Sequence, residues 1–134
     1  MRAAIAAAAV GDEQRREDPT VNELQRRAAE LLGQERALFV PTATMANQIA
    51  LKLHGRPGDV LVAERNAHIV IYEYGGPAVH AGLMIEPISG EDGRFGVEEL
   101  RAATEPSTKG ADQRAAVLAL ENTHNASGGR CWPL

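Results

Sequence analysis

Short apolar runs recur along the chain at Ala37–Val40, Val60–Ala63, Leu83–Ile88 and Ala115–Leu120, each closed by turn-forming or polar residues. Such runs read as buried strands. The stretches between them carry apolar residues at helical spacing. Strands that alternate with helices fold as α/β layers around a largely parallel sheet, and both faces of that sheet need helical cover. This alternation limits the fold more than any composition figure does. A length of 134 residues suits one domain, and no linker or internal repeat divides it, so a single domain over 1–134 is expected. The fourth run is followed by a glycine-rich loop, Gly128-Gly129, and no further helical pattern. The sheet is therefore expected to be incomplete.

The helical segments carry their own start and stop signals. Thr20-Val21-Asn22-Glu23 has the form of a capping box directly after Pro19, and Leu24, Ala28, Leu31 and Leu32 follow at helical spacing up to Gly33. Met45, Ile49, Leu51 and Leu53 mark a further helix, Ile69–Tyr74 a short one stopped by Gly75-Gly76-Pro77, and Val97–Arg101 the opening of another. The start of the chain, Ala3–Val10, invites a reading as a secretory leader. Alanine is too weakly hydrophobic for that role and is the best helix former, so a helix halted at Gly11 is expected instead.

Composition narrows the partners. Lys+Arg 14 against Asp+Glu 18 leaves no basic footprint for nucleic acid. No apolar run approaches the ~18 residues that a membrane span needs. Cys131 is the only cysteine, so no intrachain disulfide can form and a reducing, cytoplasmic setting is expected.

In open α/β sheets, ligands sit outside the carboxyl ends of the strands. Three polar groups fall at such ends: Thr42-Ala43-Thr44, Asn66-Ala67-His68 and Glu121-Asn122-Thr123-His124-Asn125. Thr42-Ala43-Thr44 joins a strand to a helix N-terminus, where free N–H groups and the helix dipole favour an anion such as phosphate. The same residues also suit a plain helix cap made by Thr42 or Thr44. His68 and His124 can each stack on a planar ligand or move a proton, or be held by the protein as structural histidines. Glu73 follows His68 by five residues and reads as a pocket acid or a solvated helix charge. Arg130 after Gly128-Gly129 can meet a carboxylate or phosphate, or lie exposed. His54 and His80 have no comparable setting. The histidines and carboxylates lack metal-ligand spacing, so no metal is expected.

With these residues laid out, the chain resembles the low-specificity threonine aldolases, a branch of the pyridoxal-phosphate β-eliminating lyases. The resemblance rests on Val10-Gly11-Asp12, on Glu17–Asn22, on Ala37–Gln48, on Arg56-Pro57-Gly58-Asp59, on Ala67-His68-Ile69 with Tyr72-Glu73 and Gly75-Gly76, and on Leu120–Asn125 with Gly128-Gly129-Arg130. It implies the N-terminal part of the large domain of an aspartate-aminotransferase-like enzyme of fold type I, as a fragment truncated at both ends. It also implies pyridoxal 5′-phosphate as cofactor, held by Thr42, Ala43 and Thr44 at the phosphate, by His68 stacked on the ring and by Glu73 in the same pocket. His68 and His124 become the catalytic candidates, with His124 on the substrate side and Arg130 beside it. The implied reaction is retro-aldol cleavage of threonine or another β-hydroxy amino acid to glycine and an aldehyde, in a homo-oligomer.

Three departures from the family pattern stand out. Neither Lys52 nor Lys109 matches the family's cofactor-bearing lysine, so this chain has none and is expected to be inactive alone. Ala43 replaces a glycine, a change that is tolerated unless the turn needs a positive φ. Arg15 and Arg16 replace a Tyr-Gly pair that helps build the site across the family's dimer interface. Two other functions stay open: a non-catalytic binding or dimerisation module, and an unrelated phosphate-binding α/β domain.

Overall fold

The computed structural model describes residues 1–105 and 115–133, so Lys109 and the polar stretch around it lie outside the described residues. The chain divides into two compact units, Met1–Pro41 and Thr42–Leu134.

The first unit is helical, with α1 at Arg2–Ala6, a 3-10 turn at Glu13–Arg15 and α2 at Pro19–Leu31. The alanine-rich helix stops at Ala6, short of Gly11, and no side chain caps its start. A helix this short gains little from alanine propensity alone. Gly11 has a different task. A Cβ there would sit 2.4 Å from the Glu17 carbonyl oxygen, so only glycine allows the two segments to meet.

The cap of α2 differs from the capping box expected at Thr20. Asp18 is the cap, and its carboxylate accepts from Val21 N–H at 2.9 Å and from Gly11 N–H at 3.1 Å. Pro19 at the first helical position explains the shift, because its fixed φ and missing N–H suit that place. Thr20 instead donates its hydroxyl to the Ala9 carbonyl at 2.6 Å. Glu23 pairs with Arg26 and Arg27, which hold its carboxyl down to about 2.

The strand expected at Ala37–Val40 does not form. Apolar character makes a strand only where another strand offers a ladder. Here Phe39 N–H bonds the Gln25 side chain at 2.9 Å, and Leu38 is exposed.

The second unit holds the sheet. Its elements are α3 (Ala43–His54), β1 (Val60–Glu64), α4 (His68–Ile71), α5 (Gly76–Ala81), β2 (Met84–Ile88), α6 (Val97–Thr104) and β3 (Ala115–Ala119). The strand order is β2-β1-β3 and both pairings are parallel, Val60 beside Met84 and Leu61 beside Val117. All five residues of the central strand are buried. Alternate side chains go to opposite faces. Leu61 and Ala63 join Leu51, Ile69, Ala81 and Leu83 on one face, while Val60 and Val62 join Ile88, Phe95 and Leu100 on the other. Burying one such aliphatic side chain stabilises the fold by about 1.5–3 kcal/mol.

The helix expected over Ile69–Tyr74 ends earlier, at Ile71, and a second one starts at Gly76. Tyr74 and Gly75 both have positive φ, 49° and 77°, which breaks the helical run. Pro77 then sits in the first turn of α5, where proline is favoured rather than disruptive. No helix among the described residues is long and apolar enough to cross a membrane.

The Asp18 cap generates a pH prediction. Hydrogen bonds from Val21 N–H, then Gly11 N–H, hold the Asp18 carboxyl below its ordinary value. A lowered folded value gives stability that is present above the unfolded value of about 3.9 and is lost as pH falls through the folded one. Helical circular dichroism of a peptide spanning 1–41 is expected to decrease as pH drops below about 4. Asp18→Ala should lower its helicity already at neutral pH, and Asp18→Asn, a comparable cap, should retain most of it.

Candidate functional site

His68 and Glu121–Asn125 follow β1 and β3 at the carboxyl end of the sheet, whereas Thr42, Ala43 and Thr44 open α3 and follow no strand. Thr42 is the cap of α3, accepting from Met45 N–H at its hydroxyl (3.1 Å) and from Ala46 N–H at its carbonyl (3.2 Å). The N–H groups of Ala43 and Thr44 belong to the first helical turn, which has no intrahelical acceptors. Among the described residues they have no other partner. Thr42 thus makes the helix cap, and the next two N–H groups point out of the helix start. Ala43 has helical rather than left-handed backbone, so its Cβ brings no strain.

The second turn of α3 points two amides at one carboxylate. Asn47 Nδ2 donates to Glu73 Oε1 at 2.7 Å and Gln48 Nε2 donates to Glu73 Oε2 at 2.5 Å. His68 Nδ1 meets the same Oε1 at 3.0 Å. The Glu73 side chain is 0% exposed and that of His68 36%, so the acid is enclosed and the imidazole faces outward. Tyr72 lies beside the His68 ring, centroids 5.2 Å apart. Glu73 is thus neither a solvated helix charge nor an acid facing solvent.

A second carboxylate ties the loops after β1 and β3 together. Glu121 accepts from His68 N–H at 2.5 Å through one oxygen and from Asn125 N–H at 2.8 Å through the other. Glu64, the last residue of β1, is 3% exposed and accepts from Asn66 N–H at 2.6 Å.

His124 stands apart from the His68 cluster, in one of its own. Its ring is 2% exposed, with Nδ1 2.8 Å from Ser127 Oγ and Nε2 3.4 Å from Glu64 Oε2. Nε2 makes no hydrogen bond there. The Ser127 hydroxyl donates to the Asp92 carbonyl at 3.1 Å, so its oxygen is free to accept from His124 Nδ1. Asp92 and Gly93 form the tip of a tight turn, both with positive φ, closed by paired bonds between Glu91 and Arg94. Arg130 is fixed to this turn, its guanidinium 2.9 Å from Asp92 Oδ2. His54 and His80 are exposed.

The structure therefore joins His68 and Glu73, and places Thr42, Ala43 and Thr44 on the helix that holds Glu73. It puts His124 with Glu64 and Ser127, and it engages Arg130 with Asp92. Reading the sequence missed Asn47, Gln48 and Glu64 as parts of these clusters. The available signal was polar residues at positions that helical or strand periodicity turns inward. Lys52 is exposed, nine residues along α3 from Ala43 and so about 13 Å from the free N–H groups. Arg15 is exposed and pairs loosely with Asp12 at 3.6 Å. A hollow of about 760 Å³ lies in the first unit, lined by Arg16, Gln25, Arg26 and Leu38 among others, and contains none of the site residues.

The donor set suits a planar group bearing a phosphate: two free N–H groups at a helix start, and an imidazole face held by a buried acid. Comparison with known proteins identifies the family. Residues 1–134 match the beta-eliminating lyase family. The chain is 40% identical over 126 residues to the low specificity L-threonine aldolase of Escherichia coli K12, covering 93% of this chain and 38% of that protein. It is 37% identical over 135 residues to low-specificity L-threonine aldolase 1 of Arabidopsis thaliana, covering 98% of this chain and 37% of the relative. The fold matches a solved threonine aldolase of Leishmania major with a TM-score of 0.65 and 24% identity, over 81% of this chain and 32% of that one. This likeness establishes the α/β arrangement as that of fold type I. The chain thus spans well under half the length of the relatives it matches.

Gly93 offers a direct test of the His124 cluster. A Cβ on Gly93 would lie 2.1 Å from the His124 ring, and the residue has φ +81°. Gly93→Ala is expected to destabilise the fold by about 2–5 kcal/mol, the left-handed backbone penalty plus overpacking. Gly58 has φ +92° and nothing within 4 Å of a Cβ, so Gly58→Ala should cost only the backbone part, about 1–2 kcal/mol. Urea unfolding of both variants measures the difference.

Proposed function

The chain belongs to the beta-eliminating lyase family, and we propose that it supplies the cofactor-holding part of a pyridoxal 5′-phosphate enzyme that cleaves threonine and related β-hydroxy amino acids to glycine and an aldehyde. The observation that carries this reading is the pairing of free N–H groups at the start of α3 with an outward-facing His68 ring anchored to the same helix through Glu73.

In this reading Ala43 and Thr44 N–H bind the phosphate, aided by the α3 dipole, and His68 stacks on the pyridine ring. The bound cofactor supplies an electron sink for the pair released as the Cα–Cβ bond breaks. The protein's share is to orient that bond and to move the hydroxyl proton. His124 is the candidate for the proton by resemblance; its ring is 2% exposed with Nε2 3.4 Å from Glu64 Oε2, so it reaches a substrate only where that ring is uncovered. Arg130 is the candidate for the substrate carboxylate, once released from Asp92. Assembly as a homo-oligomer belongs to the same proposal.

Titration with pyridoxal 5′-phosphate, followed by absorbance, tests the holding role. Saturable binding that inorganic phosphate displaces is expected, and His68→Ala should weaken it about three- to tenfold through loss of stacking. Preference for a nucleotide would point instead to a general phosphate-binding domain, and absence of any binding to an association module. The reaction is tested on the protein isolated from its source, by aldehyde release from threonine. There His124→Asn should lower kcat by about 100-fold or more with KM little changed, as loss of a proton-transfer group does. If His124 only packs, that variant should instead lose thermal stability and keep its kcat.

A further inference from the structure

We propose that Glu73 is a positioning residue: it fixes His68 in the Nδ1–H tautomer and, through Asn47 and Gln48, ties the imidazole to the helix whose first turn carries the free N–H groups. Only the ligand arm of the test below rests on the pyridoxal phosphate reading.

The argument starts from burial. A carboxylate removed from water persists where donors replace its hydration shell. Glu73 is 0% exposed, and its two oxygens receive Asn47 Nδ2, His68 Nδ1 and Gln48 Nε2. With these contacts and no exposed surface, it has no direct route to a substrate and acts through what it holds. Because Glu73 Oε1 accepts, the proton on His68 must sit on Nδ1. The partner of one ring nitrogen sets the state of the other. Nε2 is then the nitrogen available on the outward side, and the ring plane is fixed by the bond behind it.

The amides show the same directionality. Gln48 Oε1 is buried without a partner, a cost that the opposite amide orientation would replace with an oxygen facing a carboxylate. Gly76 makes the reach possible, since a Cβ there would lie 2.7 Å from Gln48 Nε2. Its conformation is ordinary helix, so close approach rather than backbone freedom explains this glycine. Asn47 and Gln48 each follow Ala43 and Thr44 by four residues, one turn further on the same face of α3. One helix thus presents the anion-binding N–H groups in its first turn and grips Glu73 with its second. The separation of phosphate site and imidazole face is set through that grip.

The test is a long-range proton–nitrogen correlation spectrum of the 15N-histidine-labelled chain in alkaline buffer, where imidazole is neutral. His68 is assigned by His68→Gln, with exposed His54 and His80 as references. A protonated Nδ1 and an unprotonated Nε2 on His68 are expected, with this pattern lost in Glu73→Leu, which leaves no acceptor at that place. An Nε2–H tautomer in the unmodified chain overturns the proposal without recourse to any variant, and so does an unchanged His68 pattern in folded Glu73→Leu. For the ligand arm, Glu73→Leu should weaken pyridoxal 5′-phosphate about tenfold, one charge-assisted hydrogen bond's worth, and inorganic phosphate by less than about twofold. Equal losses for both would mean that the helix start itself had moved, which overturns the positioning role. If the unmodified chain binds no pyridoxal phosphate, the functional reading fails, and the tautomer still decides this inference.

Discussion

A buried carboxylate has to be met by donors, and at the carboxyl end of this sheet that requirement organises the surroundings. Glu64 ends the central strand at 3% exposure, and Glu73 lies fully enclosed between α4 and α5. Neither keeps its hydration, so each draws backbone or side-chain N–H groups toward itself. Glu73 takes its donors from α3 and α4, which are separated by β1 in sequence. Glu121 draws together His68 N–H and Asn125 N–H, and so the loops that follow β1 and β3. Acidic residues thus fix the loops that parallel strands leave unpaired at their ends.

The same requirement explains which parts of the fold were legible in the sequence. β1, β2 and β3 were readable because an apolar run flanked by turn residues needs a sheet, and the chain supplies one. Ala37–Val40 looked the same in composition but lacked a strand to pair with, and its Phe39 N–H went to a glutamine side chain. Pairing is a property of two segments, and one segment's residues do not reveal it. Helix ends erred in a similar way. Thr20 and Glu23 spell a capping box, yet Pro19 moves the start of α2 and gives the cap to Asp18. A local rule was overridden by a stronger local rule one residue away.

The site was legible to a different depth at each position. Thr42, Ala43 and Thr44 could be placed because a strand-like run, a proline and a helical pattern define a helix start. His68 and Glu73 could be placed in one pocket by resemblance. Their contact depends on the break at Tyr74 and Gly75, where positive φ turns the chain so that Glu73 faces α3. Asn47 and Gln48 carry no motif. Their relevance lies in falling on the inward side of α3, which becomes visible only when something polar is found on that side.

His124 shows how such dependence extends along the chain. Its ring can occupy its present place only because Gly93 has no side chain, and Gly93 lies at the tip of a two-residue turn that requires positive φ at both central positions. Asp92 occupies the other central position, with its carbonyl on Ser127 and its carboxylate on Arg130. Ser127 in turn meets His124 Nδ1, and Arg130 pairs by its backbone with His124. The chain therefore closes a loop of contacts in which the turn after β2 and the segment after β3 define each other. Removing the Asp92–Arg130 pair alone should leave the backbone bridge and the glycine contact in place, because an exposed ion pair contributes little beside them. What holds the imidazole is the fit of the turn against its face, and the charges at the rim follow from that fit.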